Sequence, residues 1–226
     1  MKPKLKYFFD TINYKKILCL QNKHKKDFFD VDGCGLEIEF GVNYSHFSRV
    51  YIRTGLQKLR DCVGDDGKFV TDNTIGCDMN FEIVLNPMNK DDLKEKMFCI
   101  NEIINYYEDF EFNERCGVHA NFRADDGLKE MFYNELVNGG YQPEKYTHNK
   151  YKVDFFEIAK LPSGYILTYD EYLKHQKMIS AKYTAVNFLK NNLIEFRALN
   201  LKWENIEYTI DLFEKVRKQY EEQIKA

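Results

Sequence analysis

Four short segments carry carboxylates, an imidazole and a guanidinium at alternate positions between apolar residues. In Gly35-Leu36-Glu37-Ile38-Glu39-Phe40-Gly41, strand alternation puts Leu36, Ile38 and Phe40 on one face and Glu37 and Glu39 on the other. Carboxylates at i and i+2 stand roughly 7 Å apart, near enough to bracket a cation and repulsive without one. Phe81-Glu82-Ile83-Val84-Leu85 is an almost continuous apolar run interrupted by one acid, Glu82. A carboxylate in such a run is costly unless it is paired, protonated or bound to a metal. Alternation in Gly117-Val118-His119-Ala120-Asn121-Phe122-Arg123 groups His119, Asn121 and Arg123, and in Leu193-Ile194-Glu195-Phe196-Arg197-Ala198 it groups Glu195 with Arg197.

If these strands share one sheet face, they gather Glu37, Glu39, Glu82 and Glu195 with one imidazole, His119, and one fixed cation, Arg197. Oxygen ligands with a single His and no thiolate suit hard divalent ions, Mg²⁺ or Mn²⁺. Such ions keep positions open for substrate phosphates, and an arginine beside them suits a transferring phosphoryl group. No Gly-rich Walker loop occurs, so a P-loop fold is excluded.

Composition bounds the rest. The 226 residues, 44% hydrophobic and 31% charged, suffice for a packed core. Basic and acidic residues, 33 and 36, nearly balance, so attraction of the whole chain to nucleic acid or anionic lipid is not expected. The 34 Phe and Tyr residues follow core periods and form no basic aromatic platform. The longest aliphatic stretches, such as Ile17-Leu18-Cys19-Leu20, fall far short of the roughly 20 residues that span a bilayer. The basic N-terminus is followed by no apolar leader segment, and a cytoplasmic location is the expectation. The six cysteines include no Cys-x-x-Cys pair and read as small hydrophobes without disulfides.

Residues 1–30 hold eight lysines against three aspartates and read as a basic extension, with residues 31–226 as one catalytic-size domain. The cluster Lys23-His24-Lys25-Lys26 reads as a solvated loop. Apolar spacings of three and four predict helices through Ile52, Leu56 and Leu59; through Leu93, Met97, Ile100, Ile104 and Tyr107; through Leu128, Phe132 and Leu136, closed by Gly139-Gly140; and through Ile206, Ile210, Phe213 and Tyr220. Thr168 and Glu171 form a capping-box pattern for a short helix through Leu173. Pro162-Ser163-Gly164 between Val153–Phe156 and Tyr165–Leu167 suggests a hairpin. Asp65 and Asp66 read as exposed turn carboxylates.

In order as well as content, these motifs resemble the amidoligase family, relatives of glutamine synthetase and glutamate-cysteine ligase in the carboxylate-amine ligase superfamily. Gly35-Leu36-Glu37-Ile38-Glu39-Phe40 resembles the family's G-x-E-x-E strand. Asp65-Asp66-Gly67-Lys68 with Phe81-Glu82-Ile83-Val84-Leu85-Asn86-Pro87 resembles its D-G-S loop and E-I-V-S-P strand. Cys116-Gly117-Val118-His119-Ala120-Asn121 resembles its C-G-x-H-x-H strand. Lys182-Tyr183-Thr184-Ala185-Val186-Asn187 and Ile194-Glu195-Phe196-Arg197 resemble its R-Y-x-A-V-N and I-E-F-R segments.

The resemblance implies an α+β fold, a curved and mostly antiparallel sheet backed by helices as in the glutamine synthetase catalytic domain. It implies ATP-dependent amide formation between a carboxylate and an amine substrate, an amino acid, peptide or modified small molecule, through an acyl phosphate. By position, Glu39 and Glu82 would hold one metal and Glu37, His119 and Glu195 another. Glu82 and Arg197 would be catalytic, with Arg197 steadying the transferring phosphoryl group. Asn121, Arg123, Lys182 and Arg197 would contact the nucleotide. Neither membrane nor nucleic acid is an expected partner. Four positions depart from the family pattern: Asn121 stands for a second His, Lys182 for an Arg, and Lys68 and Asn86 for serines. Asn121 can still donate a hydrogen bond, and Lys182 still carries charge without a bidentate fork. A phosphotransferase, and a member that binds nucleotide or a protein partner without turnover, stay open as alternatives.

Overall fold

In a computed structural model of the chain, residues 33–43, 49–71 and 75–226 are described. The 1–30 extension and its Lys23–Lys26 cluster lie outside them. The chain runs β1 (Cys34–Val42), α1 (Arg49–Val63), β2 (Gly67–Thr71), β3 (Met79–Met88), α2 (Lys90–Tyr106), β4 (Phe110–Glu111), β5 (Val118–Arg123) and α3 (Asp126–Glu135). The short α4 (Pro143–Tyr146) and α5 (Phe155–Ala159) follow, then α6 (Tyr169–Ile179), β6 (Val186–Asn187), β7 (Leu193–Leu199) and α7 (Trp203–Lys225).

The seven strands form one open sheet in the order β2-β3-β1-β5-β7-β6, with β4 beside one end of β1. Every ladder is antiparallel. The fold is therefore α+β, as the family resemblance implies, and the four chemistry-bearing strands β3, β1, β5 and β7 are consecutive neighbours at the sheet centre. Alternation decides the layers. Leu36, Ile38 and Phe40 of β1, Ile83 and Leu85 of β3, Val118, Ala120 and Phe122 of β5, and Ile194 and Phe196 of β7 enter one core. The helix stripes read from sequence enter it too: Ile52 and Leu59, Leu93, Met97 and Ile100, Leu128 and Phe132, Ile206 and Ile210. Helices thus cover one face of the sheet and leave the other to the polar residues. Among the described residues no helix is long and apolar enough to cross a membrane.

Local signals place the helix ends. Asn89 caps α2 by accepting from Asp92 N, and Asp125 caps α3 by accepting from Leu128 N. The Thr168/Glu171 capping box is present, but α6 continues to Ile179, beyond Leu173. Two expectations are corrected. Residues 155–159 form α5 rather than a hairpin strand, because the Asp154 side chain accepts from Phe156 N and starts a helical turn. Only an isolated bridge between Lys160 and Ile166 remains of the hairpin. The cysteines are also not uniformly small hydrophobes. Cys34 and Cys116 are buried as expected, but Cys62 of α1 and Cys99 of α2 are paired as a disulfide across the helix contact, with Cα atoms 6.4 Å apart.

The ring of Phe196 packs against Phe122, Phe132 and Tyr146, with centroids 5.9, 5.7 and 5.0 Å away. It is fully buried and lies between Glu195 and Arg197 in sequence, so it anchors a site strand to the core. Phe196→Ala is expected to lower stability by about 3–5 kcal/mol. Urea unfolding would show this as a lower midpoint with an unchanged slope.

Candidate functional site

The polar sheet face is assembled by register. Glu37 of β1 stands opposite His119 of β5, Glu39 opposite Glu82 of β3, and Asn121 opposite Glu195 of β7. Cross-strand partners at such positions have side chains side by side, so residues up to 82 apart in sequence become neighbours. Gly117 tightens the arrangement at the start of β5. A Cβ there would stand 2.8 Å from the Arg197 carbonyl oxygen and 3.4 Å from His119 Nε2. Its own carbonyl accepts from Glu39 N at 3.0 Å.

His119 is almost completely buried. Its Nδ1 is 3.1 Å from Glu37 Oε2, and because that carboxylate is ionised and can only accept, Nδ1 donates. Nε2 makes no hydrogen bond and lies 3.5 Å from Glu39 Oε1. Glu37, Glu82 and His119 each offer a ligand atom, all within 4.8 Å of one another. A buried imidazole held through one nitrogen by a carboxylate, with the other nitrogen unpartnered beside further carboxylates, fits a hard divalent cation.

Burial alone would raise the Glu37 carboxyl, but the hydrogen bond and charge of His119, with the charge of Lys190, hold it at about 2. Burial likewise pushes Glu195 up, and the charges of Arg197, His119 and Lys190 keep it below the usual carboxylate range. Glu195 has no exposed surface. Its Oε1 accepts from Lys190 Nζ at 2.7 Å, and its Oε2 from Arg197 NH1 at 2.8 Å and Asn187 Nδ2 at 2.9 Å. Asn121 is buried, and its amide donates to Glu37 Oε1 at 3.2 Å.

Glu37, Glu39, Glu82 and His119 line a cavity of about 530 Å³. Arg115, Lys152, Lys182 and Arg197 line it as well, with Tyr151 and Tyr183. Of these, Arg115, Tyr151 and Lys152 carry no sequence signal. They belong to irregular segments that tertiary bonds hold in place. The buried Asn149 donates to the Arg115 carbonyl at 2.6 Å, Arg115 Nε donates to the Tyr151 hydroxyl at 3.3 Å, and Lys152 Nζ donates to the Lys182 carbonyl at 2.8 Å. Backbone bonds between Val153 and both Tyr183 and Ala185 bind the two loops together. Burial, with the nearby charge of Arg197, lowers Lys152 to about 8. Arg197 Nε is buried and makes no hydrogen bond, leaving a donor beside the cavity.

The sequence-predicted residues are not all together. Arg123 is exposed at the far end of β5, where it lines a different groove with Asp125 and Tyr220. Asp65 and Asp66 occupy an exposed 3₁₀ turn, as expected, with Asp66 paired to Lys96 at 2.9 Å. Compared with protein-family models and with curated proteins, the chain matches none.

The Glu37 contacts have an acid consequence. A carboxyl held at about 2 against an ordinary 4.5 contributes stability that is complete above pH 4.5 and is lost as pH falls toward 2. In metal-free buffer, the stability of Glu37→Gln is expected to depend less steeply on pH than that of the wild type across that window. Urea midpoints measured between pH 5 and pH 2 would report it, and parallel curves would refute the ionised pairing with His119.

Proposed function

We propose that the protein is an ATP-dependent carboxylate-amine ligase of amidoligase type, working on a glutamine synthetase-like sheet. One observation carries the reading: a carboxylate–imidazole cluster and four basic side chains line a single cavity. A tripolyphosphate chain needs both halves, a divalent cation on one side and fixed positive charge on the other. Glu37, Glu82 and His119, with Glu39 beside them, would hold Mg²⁺ or Mn²⁺, which when bound neutralises phosphate charge and orients the phosphate oxygens.

The chain's own residues do the rest. Arg197, whose NH1 is fixed on Glu195 and whose Nε has no partner, would direct a donor at the transferring phosphoryl group. Lys182 and Lys152 would hold the remaining phosphate charge, and Arg115, stacked 5.2 Å from the Tyr151 ring, would orient the carboxylate substrate. In the first step a substrate carboxylate oxygen attacks the γ-phosphorus, the bond to the β,γ-bridging oxygen breaks, and ADP leaves with that electron pair. In the second, the amine nitrogen attacks the acyl carbon, the carbon–oxygen bond to phosphate breaks, and the amine releases a proton. Basic side chains on the cavity wall stabilise the charge that develops on the departing oxygens in both steps.

Titration of a non-hydrolysable ATP analogue, with and without Mg²⁺, tests the reading. Metal-dependent binding that weakens in Glu82→Gln is expected, and equal binding by both chains would reject the metal role. Arg197→Ala is expected to lower turnover roughly 100-fold, about 3 kcal/mol, while changing analogue affinity far less. The assay is ADP release that requires both a carboxylate and an amine. ADP release with the carboxylate alone, accompanied by a stable phosphorylated product, would instead identify a phosphotransferase.

A further inference from the structure

Lys190 belongs to the turn between β6 and β7, and nothing in its spacing marks it. Its ammonium is 2.7 Å from Glu195 Oε1 and 4.0 Å from Glu37 Oε1. With Arg197 and Asn187 on Glu195 Oε2, both oxygens of the buried Glu195 are occupied by groups of this chain. Glu37 Oε1 accepts from Asn121, and Glu37 Oε2 faces His119 Nδ1. Of Glu37, His119 and Glu195, which the family resemblance would have hold a second divalent ion, both carboxylates thus already flank a cation, and Glu195 Oε1 is 3.9 Å from His119 Nδ1 and 2.7 Å from Lys190 Nζ.

Geometry fixes Lys190 there. Its backbone carbonyl accepts from Lys129 Nζ at 2.8 Å, and Lys129 is itself almost completely buried on α3. The turn that follows is closed by Asn192, whose φ of 54° is the left-handed conformation that asparagine tolerates. The Asn192 carbonyl accepts from Ala124 N at 2.9 Å, joining the turn to the end of β5. Lys190 therefore projects from an anchored turn back onto the two carboxylates. By contrast, the Glu37–Glu82–His119 cluster opens into the cavity and keeps the buried, unpartnered His119 Nε2.

We infer that Lys190 takes the place of one of two metal ions, so that the protein holds a single divalent cation at Glu37, Glu82 and His119 and uses the lysine ammonium as its second site cation. This rests on reading that cluster as a divalent-cation site. An ammonium makes hydrogen bonds to carboxylates at metal-like positions but has no vacant coordination positions to offer a phosphate. Glu195 with Lys190 is then a structural charge pair, and the Glu37–Glu82–His119 cluster remains the part that accepts a ligand.

Mn²⁺ titration without nucleotide, with free Mn²⁺ counted by its electron paramagnetic resonance signal, tests the inference. One ion per chain is expected for the wild type and for Lys190→Arg, and two for Lys190→Met, which keeps the stem and removes the charge. Circular dichroism and a urea midpoint on the same samples establish that Lys190→Met is folded. Two ions on the wild type, or one on folded Lys190→Met, would overturn the inference while leaving the Glu37–Glu82–His119 site standing. No Mn²⁺ on the wild type would overturn that site and this inference together.

Discussion

Glu195 is a carboxylate with no exposed surface in the middle of a sheet, and its neutralisation organises the polar face around it. An unpaired charge there would be prohibitive, so three groups from two strands and a turn converge on its two oxygens: Arg197 two residues along the same strand, Asn187 on the neighbouring strand β6, and Lys190 from the turn between them. His119 and the same Lys190 hold Glu37 ionised two strands away, and ionised Glu37 decides which nitrogen of His119 donates. The orientation of the imidazole toward the cavity is thus the end of a chain of contacts that starts at Glu195.

The sheet makes this chain of contacts rigid. In β1, β3, β5 and β7 each polar residue is flanked by neighbours buried in the helix-covered core, so moving a carboxylate means moving a core side chain. Phe196 is the clearest case. Its ring contacts residues from β5, α3 and α4, while the adjacent Glu195 and Arg197 face the opposite layer. Preorganised charge of this kind would need no rearrangement to bind the phosphates proposed above.

The strands and their polar face were legible because alternation is a local signal. Glu37 and Glu39 between Leu36, Ile38 and Phe40 define a face whatever the neighbouring strands are, and Glu82 inside an apolar run implies a partner. The stripes of α1, α2, α3 and α7 were legible for the same reason. Lys190, Lys152 and Arg115 were not, since they lie in loops where no period applies and only tertiary bonds, such as Asn149 to the Arg115 carbonyl, decide where they point. Arg123 shows the converse error. Alternation puts it on the face of His119 and Asn121, but it lies past the point where the cavity ends. The hairpin expected around Pro162–Gly164 failed because the Asp154 cap outweighed the β-propensity of Phe155 and Phe156. The Cys62–Cys99 pair joins residues 37 apart on two helices and has no signature in spacing.

Apart from Arg197 on β7, the cations come from loops, so the strand-borne carboxylates and the loop-borne cations are two separable parts of one site. The acidic part is fixed by core packing and register, so its geometry is inherited with the fold. The basic part hangs on a few bonds, Asn149 to Arg115, Lys152 to the Lys182 carbonyl and Lys129 to the Lys190 carbonyl. Exchanging a loop residue can alter the anion that the cavity prefers, or the number of charges it supplies itself, without disturbing a strand. Lys190 illustrates the principle within this chain: a single side chain from a turn changes the charge balance of two buried carboxylates whose positions the sheet has already set.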